Sequence, residues 1–215
     1  MASSNISSPK TPTTPTTPTT PTTNSDLDSQ VNVEDLPITF KVKYIGSEAS
    51  RGLWGIKYTR RPVDIMVGVA KNLPPNKVLP NCELKVSTSG VQLEIISPKA
   101  SINNWSYPID TISYGVQDLV YTRVFAMIVV KDETSPHPFE VHAFVCDSRA
   151  MARKLTFALS AAFQDYSRVV KEASGEDQVD DTHNDLITPT RQKFAIDLRT
   201  PEEIQAGELE QETEA

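Results

Sequence analysis

Side chains able to do catalytic chemistry are few in this chain and scattered along it. The imidazoles are His137, His142 and His183, and the thiols are Cys82 and Cys146. Acid–base and nucleophilic catalysis need a base beside the reacting group and a third residue to orient it. His183 lies in an acidic segment, His137 lies between prolines, and His142 lies in an apolar strand pattern. The sequence therefore predicts no enzyme active site.

Motifs for metals, cofactors and nucleotides are also missing from the sequence. The two cysteines make no Cys-x-x-Cys pair, and neither a glycine-rich phosphate loop nor a nucleophile-elbow sequence occurs. We predict two free, buried thiols, no cofactor and no metal. The amino terminus lacks the blocks of a signal peptide, and no apolar run is long enough to span a bilayer, so we expect a cytoplasmic protein.

Charge and composition divide the chain into three parts. Residues 1–37 carry a Thr/Pro-rich repeat and almost no large apolar side chain, and residues 175–215 have a net charge of −9. Neither part can bury enough apolar surface to offset the entropy of ordering, so we predict a disordered arm and an acidic, mostly disordered tail. Residues 38–174 form the expected domain. Its net charge of +5 is too small to favour nucleic-acid binding.

The pattern of the central part is strands first and a long helix last. Alternating apolar residues predict a strand from Ile38 to Gly46, and Pro62 suits the first turn of a helix ending near Leu73. Further strands are predicted at residues 82–88, 91–97, 107–117, 124–131 and 139–146, the first two joined through Ser89 and Gly90. Without strand–helix alternation, the fold class is α+β with an antiparallel sheet.

The last helix is predicted to begin after Asp147 or Ser148 and to end before Gly175. Its apolar stripe has helical spacing and comprises Met151, Leu155, Ala158, Leu159, Ala162, Tyr166 and Val169, with Phe163 and Val170 along one edge. Phe157 falls on the opposite face, where no core role is predicted. A helix of this kind can close the open end of a curved sheet.

Three stretches of this region resemble one known family. Residues 41–46 read Lys-Val-Lys-Tyr-Ile-Gly, Ile112-Ser113-Tyr114 is followed by Val124-Phe125-Ala126, and His142 to Cys146 precede Phe163 in the helix. In this order and spacing they resemble phosphotyrosine-binding (PTB, also called PID) domains, nearest to the Disabled, Numb and LDL-receptor-adaptor branch. The resemblance implies a pleckstrin-homology-like superfold, with two orthogonal antiparallel sheets capped by the C-terminal helix.

The resemblance also implies a non-enzymatic adaptor that captures Asn-Pro-x-Tyr or Asn-Pro-x-Phe peptides from the cytoplasmic tails of transmembrane receptors. The peptide would lie antiparallel to the fifth strand, beside the C-terminal helix. The peptide-binding residues carried over are Thr111, Ile112, Ser113, Tyr114, Gly115, Val116, Leu159 and Phe163. Residues 100–122 contain no Lys or Arg, which indicates that the tyrosine need not be phosphorylated.

A second site implied by the resemblance binds phosphoinositide head groups. Lys41 and Lys43 match its strand positions and share one face, and Lys71 and Lys77 lie around the end of the first helix. Two alternatives to the peptide adaptor therefore stay open. One is a module recruited to the membrane mainly through lipid, and the other is a scaffold that uses the outer face of the last helix around Phe157.

The acidic tail contains its own candidate segments. Phe194, Ile196 and Leu198 lie just upstream of Thr200 and, together with the segment that follows, could form a docking peptide for another protein. Thr200 and Pro201 begin a capping-box pattern that could start a short helix through Leu209. The competing interpretation of both segments is a disordered tail.

Overall fold

The structure is a computed structural model, and it describes residues 30–97, 103–131, 136–174 and 195–197. In chain order, the strands and helices are β1 Ile38–Ser50, α1 Ile56–Lys71, β2 Asn81–Ser87, β3 Gly90–Ile95, β4 Trp105–Pro108, β5 Ile112–Gln117, β6 Val124–Val130, β7 Phe139–Cys146, α2 Arg149–Ser174 and β8 Ala195–Asp197. Short 3-10 turns lie at Val33–Asp35 and Ile109–Thr111. The thiols of Cys82 and Cys146 are free and buried, as predicted.

Strands β1 to β7 pair antiparallel in one sheet of order β4-β3-β2-β1-β7-β6-β5, and with the C-terminal helix this is the predicted α+β architecture. Strand β1 joins the two halves of the sheet, because its first half pairs with β2 and its second half with β7. The β1–β7 register shifts between Tyr44 and Gly46, where Gly46 has a φ of 144°. The first strand was predicted to end at this glycine. It instead continues to Ser50, because the bulge redirects the strand without ending it.

Each face of the sheet packs against one helix. Phe40, Val42 and Tyr44 of β1 lie in a core with Leu155 and Leu159 of α2. The opposite face, around Val116 of β5, packs against α1 through its buried side chains Val63, Met66 and Val67. The alternation of side chains along a strand therefore decides which helix each strand residue can contact.

Helix α1 begins six residues earlier than the sequence predicted, so Pro62 lies inside it and not in its first turn. A proline has no N–H, which leaves the carbonyl of the residue four positions earlier without its usual donor. That residue is Tyr58, and its carbonyl lies 3.3 Å from the hydroxyl of Ser50. The hydroxyl also lies 2.9 Å from the Gly52 carbonyl, so it shares one hydrogen between two acceptors. The end of β1 thus supplies the donor that Pro62 lacks.

Two other predicted boundaries were wrong. The segment from Tyr107 to Gln117 is not one strand, since the 3-10 turn separates β4 from β5. In the hairpin, Gly90 belongs to β3 and pairs with Ser87. Gly90 has a φ of 137°, and a Cβ there would lie 2.1 Å from the Tyr107 carbonyl oxygen. The glycine is therefore required by the close approach of β4 as well as by its backbone conformation.

Helix α2 begins as predicted, with the Ser148 hydroxyl accepting a hydrogen bond of 3.1 Å from the Met151 amide. Two predictions about its faces were wrong. Phe157 is half-buried against the core on the α2 side, with the Arg153 guanidinium 5.1 Å from its ring centre. Val169 and Val170 are exposed, because the sheet does not extend beneath the last turns of this long helix.

Candidate functional site

Strand β5 lies between two other strands at the end of the sheet. Its antiparallel partner is β6, and its other edge pairs in parallel with β8. The β8 register places Ala195 opposite Tyr114, Ile196 opposite Gly115 and Asp197 opposite Val116. Strand β8 also contacts α2, so it occupies the groove between β5 and the C-terminal helix. With β8 in place, all six residues of β5 are buried.

The predicted peptide-binding side chains do not all face this groove. Ile112 packs in the core on the α2 side together with Leu159 and Phe163. Tyr114 and Val116 belong to the core on the α1 side, so only their backbone is available at the edge of the strand. Because side chains alternate along the strand, a side chain at Gly115, between them, would lie on the α2 side.

Three of the predicted peptide-binding residues lie outside β5, in the turn before it or on α2. Thr111 is not part of the strand but belongs to the 3-10 turn before it, where its hydroxyl donates a 2.7 Å bond to the Pro108 carbonyl. Leu159 is fully buried and Phe163 is 5% exposed. Contact between these two side chains and a peptide stays a prediction, as does the assignment of the groove as a whole.

Both ends of β5 are held by side-chain hydrogen bonds. Near its start, the Ser113 hydroxyl donates a 2.6 Å bond to the carbonyl of Leu53, in the loop before α1. At its end, Nε2 of Gln117 donates to the carbonyls of Thr122 at 2.6 Å and Arg149 at 3.2 Å, which joins the strand to the first turn of α2. Oε1 of Gln117 is buried and has no hydrogen-bond partner within the described ranges.

An ion pair fixes the turn that follows β5. The carboxylate of Asp118 accepts bonds from the backbone amides of Val120 and Tyr121 at 2.9 and 2.7 Å. It also accepts two bonds from the Arg60 guanidinium of α1, at 3.1 and 3.0 Å. The positive charge of Arg60 is engaged by Asp118 and by Asp64. Sequence spacing gives no sign of this pair, since its residues are 58 positions apart.

The predicted lipid-binding lysines lie on the α1 side of the sheet. Lys41 and Lys43 are exposed on β1 and face away from the α2 core, as the alternation predicted. Lys71 ends α1, with its ammonium group 4.9 Å from the centre of the Tyr121 ring. It lines a cleft of about 460 Å³ together with Arg123 and Val145, the latter opposite Lys43. Lys77 is exposed in the following loop but does not line that cleft. Lipid binding by these residues stays a prediction.

His142 has the surroundings of a structural residue. It is 3% exposed, its Nδ1 lies 2.9 Å from the Tyr44 hydroxyl, and its ring packs against Trp105 and Tyr107. Its Nε2 lies 3.2 Å from Oε2 of Glu140, off the axis of a hydrogen bond, so the contact is electrostatic. The neighbouring His142, followed by Lys131 and Ser47, lowers the pKa of Glu140 to about 2 although burial opposes the shift.

Burial has the opposite effect on the other titratable groups of this core. It raises the pKa of Tyr44 to about 12 and that of the Cys146 thiol to about 12. Among the described residues, no group of three His, Cys, Asp or Glu side chains could hold a metal ion. In the same ranges, neither helix is both long and apolar enough to cross a membrane.

The sequence relatives of this chain include adapter proteins. The chain is 28% identical to the mouse low density lipoprotein receptor adapter protein 1 over 166 residues, which are 76% of this chain and 52% of that protein. It is 24% identical to the zebrafish (Danio rerio) PTB domain-containing engulfment adapter protein 1 over 143 residues, 65% of this chain and 45% of that protein. The chain thus spans about half the length of these relatives. No family model matches it.

One solved domain structure is also similar to this chain. The solution structure of the C-terminal phosphotyrosine interaction domain of APBB2 from mouse is 18% identical, covers 71% of this chain and 96% of that domain, and has a TM-score of 0.47. Residues 41–46 and 112–114, on which the family resemblance rested, lie in β1 and β5, the strands that the resemblance implied. The sequence relatives are thus adapter proteins, and one of them is named for a PTB domain, the kind of domain that residues 41–46 and 112–114 resemble.

Proposed function

We propose that this chain is a non-enzymatic intracellular adaptor that binds Asn-Pro-x-Tyr or Asn-Pro-x-Phe peptides as an added strand on β5. The observation that carries this proposal is that the edge of β5 accepts a further strand, since β8 pairs there and contacts α2. Backbone groups on such an edge supply affinity for any extended segment, while neighbouring side chains select among segments. The names of the relatives, which are adapters, support the same class of function.

The chemistry of the groove favours an unphosphorylated peptide. A phosphate would require an Arg or Lys fork at the tyrosine pocket. The loop, turn and strand of residues 103–117 carry no cation, and the side chains on the α2 side of the groove, Ile112, Leu159 and Phe163, are apolar. The proposed ligands are therefore unmodified receptor tails.

Titration of the full chain with paired plain and phosphorylated Asn-Pro-Val-Tyr peptides tests the proposal, with backbone amide NMR shifts to locate the site. We expect saturable shifts along residues 112–117 with the plain peptide. Gly115→Arg should abolish them, because its side chain would enter the groove. Gly68→Arg is the matched control, since a Cβ at Gly68 meets no atom within 4 Å. Near-UV circular dichroism of both variants checks folding, and unchanged binding by folded Gly115→Arg would contradict the proposal.

A second function is favoured by the basic residues on the α1 side. Lys71 and Arg123 line one cleft on the face of the sheet opposite α2, and Lys43 pairs with Val145 of the same lining. These cations suit the phosphates of a phosphoinositide head group at the plasma membrane. Lys41→Glu with Lys43→Glu should reduce sedimentation with phosphoinositide vesicles and leave peptide binding unchanged. Lys154→Glu with Lys171→Glu reverses the same charge on α2 and is the control. Equal loss in both double variants would indicate a general charge effect and no lipid site.

A further inference from the structure

We propose that the tail of this chain regulates its own peptide groove, with Ala195–Asp197 acting as a competitive internal strand. This inference rests on the proposed function, because it concerns the same edge of β5. The pairing of residues 195–197 with residues 114–116 places the tail segment on that edge. Since β6 takes the opposite edge of β5, a ligand strand and β8 cannot be bound at the same time.

The sequence of the segment suits this role. Ile196 is flanked by Phe194 and Leu198, with Ala195 and Asp197 between them, which is the alternation of a half-buried strand. The segment lies within a tail of net charge −9, where such an apolar alternation is otherwise rare. A peptide ligand needs the same property, namely an extended backbone with apolar side chains on one face.

The connection between α2 and β8 is long enough to allow the segment to bind and to leave. Helix α2 has 26 residues and is therefore about 39 Å long. Residues 175–194 separate it from β8, and twenty residues can span roughly 66 Å when extended. The tail can thus return along the whole helix without strain. A tether of this length also holds the segment near the groove at high effective concentration.

The internal strand β8 is short enough to be displaced from the sheet by a longer ligand strand. It is three residues long, whereas β5 offers six. A longer ligand strand can therefore form more backbone hydrogen bonds than β8 and displace it. The internal strand is also parallel, while the resemblance implies an antiparallel ligand, so the ligand cannot simply extend β8. Peptide affinity is then reduced by the fraction of molecules whose groove is open.

Full-length Ile196→Pro tests this inference, because proline removes the backbone N–H at the centre of β8 and disfavours a strand. Gln205→Pro, in the same tail, is the matched control. The probe is a fluorescent, unphosphorylated peptide with β-branched residues followed by Asn-Pro-Val-Tyr. If nine-tenths of the grooves are closed, Ile196→Pro binds this peptide about tenfold more tightly than the unaltered chain, while Gln205→Pro does not. Equal affinity in all three proteins would overturn the inference and leave the proposed function standing.

A measurement without ligand separates the two proposals. Hydrogen exchange at the β5 amides that face β8 should be faster in Ile196→Pro than in Gln205→Pro. A synthetic peptide of residues 192–199 added to Ile196→Pro should slow that exchange again. If exchange responds in this way but no protein binds the Asn-Pro-Val-Tyr peptide, the internal strand is real and the proposed ligand class is wrong. If exchange is the same in both variants, the inference fails whatever the peptide does.

Discussion

The ion pair between Arg60 and Asp118 ties α1 to the turn after β5, and breaking it tests how strongly the sheet edge is held. The carboxylate of Asp118 is 1% exposed, and the Arg60 side chain is 27% exposed. Arg60→Met keeps most of the apolar stem and removes the guanidinium. The buried carboxylate then loses two charge-assisted bonds but keeps the amides of Val120 and Tyr121.

The expected cost follows from those contacts. Removing one partner of a fully buried ion pair costs about 3–5 kcal/mol. The value here should be lower, because the two amides still stabilise the carboxylate and because water already reaches Arg60. We expect a loss of about 2–3 kcal/mol in the free energy of unfolding. For a domain of this size, that corresponds to a fall in Tm of about 5–10 °C.

Urea unfolding of the full chain measures this loss. Arg61→Met is the matched control, because Arg61 is the next residue on α1 and is exposed; it should change stability by less than about 0.5 kcal/mol. Asp118→Asn should cost less in the Arg60→Met background than in the unaltered chain, since the buried charge is then already unpaired. Equal effects of Arg60→Met and Arg61→Met would refute the reasoning.

Three further predictions concern stability and reactivity. The pKa of Glu140 is about 2 in the folded chain instead of 4.5, so its stabilising contribution is complete above pH 4.5 and is lost as the pH falls toward 2. Glu140→Gln should therefore reduce the loss of stability over this pH range, measured by urea unfolding, by about 1–2 kcal/mol. An unchanged pH dependence in the variant would contradict the lowered pKa of Glu140. Cys82 and Cys146 should react with a thiol reagent at pH 8 only as fast as the chain unfolds, because both are buried with raised pKa; rapid labelling of the native chain would show otherwise. Gly90→Ala should destabilise the fold by about 2–3 kcal/mol in thermal unfolding, whereas Gly68→Ala, in a helix with open space around it, should stabilise by about 0.5–1 kcal/mol.

The parts of the fold that repeat a pattern could be predicted from the sequence. The alternation of Phe40, Val42 and Tyr44 gave the buried face of β1, and the stripe through Leu155 and Leu159 gave the face of α2 that packs on the sheet. These patterns are local, because burial on one side of an element repeats with that element's own period. The predicted directions of Lys41 and Lys43 follow from the same alternation.

Features that depend on contacts between distant residues could not be predicted in this way. The start of α1 could not be predicted, because Pro62 suits the first turn of a helix and the donor near the Tyr58 carbonyl, Ser50, comes from a neighbouring strand. The pairing of Ile196 with Gly115 could not be predicted either, because an apolar segment in a tail does not indicate which strand edge it joins. The burial of Phe157 could not be predicted from helical spacing, because residues before β1, among them Val33 and Leu36, pack against the same core and the turn Val33–Asp35 contacts α2.

The hydroxyl of Ser50 beside Pro62 has a consequence for how this domain can change during evolution. A proline at position 62 is tolerated because the carbonyl of Tyr58 finds a donor on the neighbouring strand. Loss of the hydroxyl would leave the Tyr58 carbonyl without a donor, whereas an alanine at position 62 would restore the helical bond and leave the hydroxyl with only its bonds to Gly52. Positions 50 and 62 should therefore vary together among descendants of this sequence, with serine or threonine at 50 wherever proline is kept at 62.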